Sequence, residues 1–291
     1  MTFSGVYTAL ITPFNKDGTV DESALRALVG RQIEAGIAGL VPMGTTGESP
    51  TLDQEEHIHV IEVVVDESDG RVPVIAGTGS NSTSEAIEMT RYAAEIGADA
   101  SLQVAPYYNK PMQEGLYRHF AAIGEAVDLP MIIYNIPSRT GRNIENDTTL
   151  RLAKLPTVQG VKEASGDLRQ MMDLIAHKPD RLAVLSGDDN LAFPLCALGG
   201  VGVISVASNV APRHLIAMID AVLRNDLEDA RRRHYELLPL FEALFYETNP
   251  IPVKYALSKM GVIEEAYRLP LCPMSKENKA RMDSVLGKYQ L

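Results

Sequence analysis

The stretch Thr157-Val-Gln-Gly-Val-Lys-Glu-Ala-Ser165 places one lysine, Lys162, inside what otherwise reads as a buried strand. Lysine is almost never fully buried unless paired. Burial favours its neutral amine, the form that attacks a carbonyl, so the chemistry on offer is a Schiff base. The competing reading is a lysine at a strand end whose stem lies along apolar surface while its charge reaches water. The strand alone does not decide between them.

Other segments could serve such an amine. Gly44-Thr-Thr-Gly-Glu48 offers backbone N–H groups and two hydroxyls ahead of a helix, a sensible cradle for a carboxylate, though it is also compatible with a plain tight turn. Tyr107-Tyr-Asn-Lys-Pro111 and Tyr134-Asn-Ile-Pro-Ser-Arg-Thr140 bring phenols suited to proton transfer, and Arg139 a planar fork suited to a carboxylate. Such tyrosines are otherwise core residues with a satisfied hydroxyl. Gly77-Thr-Gly-Ser-Asn-Ser82 begins like a dinucleotide fingerprint but lacks its third glycine, so it reads as a strand-to-helix turn. His57 and His59 stand two apart on a helix and face apart, which argues against a shared metal.

Positioning these groups falls to a regular alternation. Short apolar runs at 6–11, 39–44, 73–77, 101–105, 131–134, 158–162, 182–186 and 202–206 alternate with amphipathic segments. Eight strands separated by helices predict a parallel sheet closed into a (β/α)8 TIM barrel. Leu25, Leu28, Val29 and Ile33 share a helical stripe after a cap at Asp21, and Ile58, Ile61 and Val65 share another. Thr51-x-x-Gln54 and Ser82-x-x-Glu85 read as capping boxes. Helices over 212–223, 227–245, 253–259 and 275–288 follow with no ninth strand, so residues 1–224 are expected to form the catalytic barrel and 225–291 a small all-helical region. In such a barrel the site lies where strands end, which selects Thr8, Thr12, Thr45, Thr46, 77–81, 106–110, 134–140, 162–165 and 186–190.

Composition narrows the partners. A net charge of −11 argues against a general nucleic-acid binder, and the one basic run, Arg231-Arg-Arg233, reads as a solvated mixed-charge face. A local pocket can still attract an anionic substrate. Two separated cysteines, Cys196 and Cys272, fit a reducing compartment. Met1–Tyr7 has no leader pattern, and no run approaches 18 apolar residues, so a cytoplasmic chain without a membrane span is expected. On that reading the sequons at Asn81 and Asn146 carry no meaning.

Gly44–Glu48, Tyr107–Pro111, Tyr134–Arg139, Gly160–Glu163 and Asn249-Pro-Ile-Pro-Val-Lys254, in that order along the chain, resemble the dihydrodipicolinate synthase family of pyruvate-dependent class I aldolases. The resemblance implies a lyase that uses no metal or organic cofactor and condenses pyruvate with L-aspartate 4-semialdehyde on the route to diaminopimelate and lysine. It assigns the imine to Lys162, the pyruvate carboxylate to Thr45 and Thr46, and a proton relay to Tyr134, Thr46 and Tyr108, with Tyr108 reaching in from a neighbouring subunit. It assigns the semialdehyde carboxylate to Arg139 and the pyruvate pocket lining to Gly187 and Ile204. It implies an L-lysine effector site at Ser49, Pro50, Gln54, His57, Asn81, Glu85 and Tyr107, with weak or moderate inhibition because Gln54 stands where strongly sensitive members often have histidine. A homotetramer built from tight dimers is expected. Sibling aldolases, such as N-acetylneuraminate lyase or a keto-deoxy-sugar-acid aldolase, share the barrel, lysine and tyrosine but lack the arginine at Arg139. A small-acid sensor without chemistry is the alternative of another class. Neutral amine at Lys162 is expected from burial and from neighbouring positive charge.

Overall fold

The computed structural model describes residues 3–289. Met1 and Thr2, on which part of the amino-terminal reading rests, lie outside them, as do the last two residues of the expected helical region. Among the described residues no helix is long and apolar enough to cross a membrane.

All eight expected strands form: β1 Gly5–Ala9, β2 Gly39–Val41, β3 Ile75–Gly77, β4 Ala100–Val104, β5 Met131–Asn135, β6 Val158–Glu163, β7 Ala183–Ser186 and β8 Gly202–Ser205. They are fully or nearly fully buried, as strands covered on both faces must be. Their order, β2-β1-β8-β7-β6-β5-β4-β3, is that of a barrel with all ladders parallel. Among the described residues, the seam between β2 and β3 is the one that lacks a regular ladder. There Leu40 N–H donates to Pro73 O at 2.9 Å and Gly77 N–H to Pro42 O at 3.0 Å. Pro42 and Pro73 have no N–H to give, so the seam holds fewer bonds than its neighbours. The two chains also approach closely, since a Cβ on Gly77 would sit 2.2 Å from Met43 O.

Helices α1 Glu22–Ala35, α2 Gln54–Ser68, α3 Thr83–Glu95 and α4 Gln113–Ala126 cover β1 to β4. A short α5, Pro137–Thr140, and α6, Asn146–Leu152, follow β5; α7 Leu168–His177, α8 Asp189–Ala197 and α9 Pro212–Leu223 complete the repeat. The cap at Asp21 is as expected, its carboxylate accepting from Ala24 N–H at 3.0 Å. On α1, Leu25, Leu28 and Val29 are buried and Ile33 half-buried; on α2, Val60, Ile61 and Val64 form the buried face, with Ile58 and Val65 at its flank.

Two capping expectations are corrected. Helix α2 is capped by Asp53 and Glu56 in a reciprocal box, not by Thr51 and Gln54, because Thr51 is consumed in a preceding turn where its hydroxyl donates to Glu48 O. Ser82 caps α3, but Glu85 does not return the bond. Its carboxylate accepts instead from Ser80 Oγ at 2.8 Å.

The last three helices are α10 Leu227–Ala243, α11 Ile251–Lys259 and α12 Lys276–Leu286. The turn between α9 and α10 holds the expected division at 224/225, and one apolar cluster runs across it, from Val6 and Leu10 to Leu240, Phe241, Val253 and Leu257. Arg232 and Arg233 pair with Asp229 and Glu236 along α10, which makes the basic run a solvated mixed-charge face.

Candidate active site

Register brings the first groups together. Lys162 on β6 lies opposite Tyr134 on β5 and Leu185 on β7, so all three share a face of the barrel. The amine sits 4.0 Å from the centre of the Tyr134 ring. Both residues are buried, and Ile204 on β8 is buried in the same apolar cluster with Tyr7, Leu185 and Ala164. Gly187, just past β7, makes room for the lysine stem: a Cβ there would stand 2.7 Å from Ala164 Cβ and 3.1 Å from Lys162 Cε.

Burial pushes the Lys162 amine down to about 8, with the carboxylates of Asp188 and Asp189 opposing and Arg139 reinforcing. The expected cause is therefore half right. Loss of water dominates, whereas the nearby charge is mostly negative. The same burial raises the Tyr134 phenol well above its ordinary range, so it is a neutral donor at physiological pH. Asp189 is itself pushed up to about 6 by burial while its carboxylate accepts from the N–H groups of Val206 and Ala207.

The Gly44–Glu48 segment forms a tight turn, Thr45–Gly47, held from several sides. Thr12 Oγ1 donates to Gly47 O at 2.7 Å, and Asn249 Nδ2 donates to Thr46 Oγ1 at 3.0 Å. Glu48 pairs with Lys254 at 2.5 Å, both side chains fully enclosed. Lys254 Nζ also lies 4.1 Å from the Phe14 ring centre. Arg139, on the short α5, is exposed and donates to Asn249 O at 3.3 Å. Loops after β2, β3, β4 and β5 enclose a cavity of about 550 Å3.

Thr45, Tyr134 and Arg139 line that cavity, and so do Ser49, Pro50, Gln54, His57, Glu85 and Tyr107. Thr46, Lys162, Gly187 and Ile204 do not line it, and three of these four, Gly187 apart, are buried. Asn81 stands outside the lining and donates to Tyr107 O at 3.1 Å. Tyr108 is 89% exposed, at φ +69, and is not part of the cavity lining of its own chain. His57 Nε2 bonds Gly77 O at 2.7 Å, while His59 faces Glu22. Thr8 belongs elsewhere, because its hydroxyl donates outward to Gln32 on α1.

Three features escaped the sequence. Asp188 and Asp189 fell within the selected 186–190 loop, yet nothing marked them as charges felt by Lys162. Lys254 carried the same signal as Lys162, a lysine among apolar neighbours, and could have been flagged by it; only the partner Glu48, 206 residues away, shows that its burial is an ion pair. Asn249 had no signal of its own.

A family model, the dihydrodipicolinate synthetase family, matches residues 2–289. The 4-hydroxy-tetrahydrodipicolinate synthase of Pelobacter propionicus is 51% identical over 289 residues, 99% of each chain. The dihydrodipicolinate synthase structure from Aquifex aeolicus superposes with a TM-score of 0.98 at 48% identity, covering 99% of both chains. The Acinetobacter baumannii enzyme, solved in complex with pyruvate, gives 0.97 at 46% identity over 99% of both. The enzyme of Cyanidioschyzon merolae, solved with lysine bound, gives 0.96 at 42% identity over 98% of both. With register, cavity and likeness over the whole length in agreement, the chain belongs to the dihydrodipicolinate synthetase family.

Proposed function

We infer that the chain is a lyase of the class I aldolase type, a 4-hydroxy-tetrahydrodipicolinate synthase, which joins pyruvate to L-aspartate 4-semialdehyde in lysine and diaminopimelate biosynthesis. The observation that carries this reading is the buried Lys162 amine, lowered to about 8 and seated 4.0 Å from the Tyr134 ring. Neutral Lys162 attacks C2 of pyruvate, and loss of water leaves a protonated imine. That cation draws electrons as the pyruvate methyl gives up a proton, so the carbon becomes an enamine nucleophile. It adds to the aldehyde carbon of the semialdehyde. The new substrate amine then attacks the imine carbon, closes the ring and frees Lys162.

In this scheme Thr45 and Thr46 hold the pyruvate carboxylate beside Gly187 and Ile204, and Arg139 holds the semialdehyde carboxylate at the mouth. Tyr134, Thr46 and Tyr108 pass protons. Tyr134 is suited to donate rather than abstract, because burial keeps its phenol protonated. Tyr108 serves a neighbouring subunit, in a homotetramer built from paired dimers, and its full exposure supports that use. The enzyme works in the cytoplasm. L-lysine acts as an effector through Ser49, Pro50, Gln54, His57, Asn81, Glu85 and Tyr107, and inhibition is weak or moderate. Activity unchanged by saturating lysine would defeat that last statement.

Treatment with pyruvate and borohydride, followed by peptide mass mapping, is expected to find a reduced pyruvyl adduct on Lys162. Its absence would sink the imine. Arg139→Ala is expected to lower kcat/KM for the semialdehyde by about 10–100-fold, the worth of a charged hydrogen bond made to substrate, while adduct formation survives. Turnover of pyruvate with N-acetylmannosamine in preference to the semialdehyde would point to a sibling aldolase.

A further inference from the structure

Tyr108 is presented by a backbone under strain. Asn109 N–H donates to Tyr107 O at 2.8 Å, closing a three-residue turn with Tyr108 at its centre and φ at +69. That is the rare, strained form of the γ-turn, and Lys110, two residues on, is again left-handed at φ +43. Two such residues within three persist only where their surroundings hold them. On one side the hold is reciprocal: Asn81 Nδ2 donates to Tyr107 O at 3.1 Å and Asn109 Nδ2 to Asn81 O at 2.8 Å.

On the other side stands the segment after β5. Gly141, at φ +70, ends α5, and a Cβ there would come within 2.5 Å of Lys110 Cε, so the lysine stem lies across this glycine. Arg142 follows and reaches back to donate from Nη2 to Lys110 O at 3.1 Å. Among the described residues that carbonyl is the one acceptor its guanidinium meets, and its Nε is buried without a partner. A charge partly withdrawn from water for one bond to a neutral carbonyl gains little stability by it. What the bond does is fix the far end of the strained turn.

We propose that Arg142 is a positioning residue for Tyr108: by holding Lys110 O against the end of α5 it fixes the strained turn in which Tyr108 is offered to the neighbouring subunit. The proposal rests on the cross-subunit use of Tyr108 inferred above. The short segment that carries Arg139 for its own site thereby braces the tyrosine meant for the other.

The two subunits can be tested separately. In a hybrid of a Tyr108→Phe chain, which keeps its own Lys162, with a Lys162→Ala chain, which supplies an intact Tyr108, activity comes from one site built by both. Arg142→Met on the Lys162→Ala chain is expected to lower hybrid activity about 10-fold, the low end for a hydrogen bond to a charged group because this one is open to water, while KM for pyruvate moves less than about threefold. The same substitution on the Tyr108→Phe chain, whose loop serves a dead site, should change hybrid activity by less than about twofold. In the otherwise unmodified protein Arg142→Met should lower kcat by a similar factor and leave the borohydride adduct on Lys162 intact. In a uniform Tyr108→Phe background it should add less than about twofold, because the group it acts through is gone. If the methionine variant does not fold, Arg142→Gln, too short to span to Lys110 O, is read in the same way. A larger loss from the Tyr108→Phe chain would show Arg142 acting on Arg139 within its own site. Equal losses from both chains would show a general weakening of the fold. Either result, no loss from either chain, or a full penalty in the Tyr108→Phe background would overturn the proposal. Hybrids that regain no activity while Arg142 is intact would instead overturn the cross-subunit reading, and the proposal with it.

Discussion

Two buried lysines in one chain show what a residue type can and cannot reveal. Lys162 has no ion-pair partner among the described residues and is shifted chiefly by loss of water, whereas Lys254 is enclosed with Glu48. The sign of the Lys162 effect on stability is fixed by its lowered value. Between about 8 and the ordinary lysine range the unfolded chain binds a proton that the folded chain does not, so this group makes stability rise with pH across that window and costs most below it. Lys162→Met is therefore expected to abolish turnover yet raise unfolding free energy near pH 7 by about 1–3 kcal/mol, and to flatten the rise above pH 8, as read from denaturant titrations at several pH values. The rate of imine formation with pyruvate should climb as pH passes through about 8. Gly187→Ala, which sets a methyl group within 2.7 Å of Ala164 Cβ, is expected to displace the lysine stem and lower kcat/KM for pyruvate by about 10-fold or more. Lys162 was singled out as a charged group in an apolar run, and Tyr134, the threonines and Arg139 by their place where strands end and loops begin. The carboxylates at 188 and 189 were not recognised as charges felt by the lysine, since an acidic pair after a strand is indistinguishable from a helix start until its distance from the amine is known.

At the scale of elements, periodicity reached all eight strands and the stripe on α1, where one buried face sets the pattern. It failed where local bonds compete. Asp53 outcompetes Thr51 as the α2 cap because it is followed by Glu56 at the position that returns the bond, while Thr51 is tied into the turn before it. Asp53→Ala is expected to cost about 1 kcal/mol in denaturant unfolding. The short α5 that carries Arg139 was read as plain loop, because four residues show no helical period. The largest elemental effect belongs to the junction between the threonine turn and α11. Lys254→Met strands an enclosed carboxylate and should cost about 3–5 kcal/mol, whereas Glu48→Gln combined with Lys254→Met should recover much of that loss. A single-variant cost under 1 kcal/mol would show that the pair is dispensable.

For the whole molecule we propose that 1–224 and 225–291 are barrel and buttress rather than two folding units. The shared apolar cluster supports this, and a chain ended at 224 is expected to lose the cooperative unfolding transition of the whole protein. The proposed use of Tyr108 across a subunit boundary has a direct test in mixed assemblies. Chains with Lys162→Ala and chains with Tyr108→Phe, each nearly inactive, should regain up to roughly a quarter of full activity when unfolded and reassembled together, because half of random pairs are hybrids with one intact site in two. No regain would return Tyr108 to the surface of its own chain. The barrel itself is unevenly stitched. Where Pro42 and Pro73 withhold their donors, the wall between β2 and β3 is joined by an isolated bridge between Leu40 and Val74 and by the bond from Gly77 to Pro42, beside the very loops that line the cavity. In hydrogen–deuterium exchange the amides of Leu40 and Gly77 should therefore trade their protons sooner than those of β5 to β7, making this stave the place where the cask first leaks and where a ligand in the cavity would most visibly tighten it.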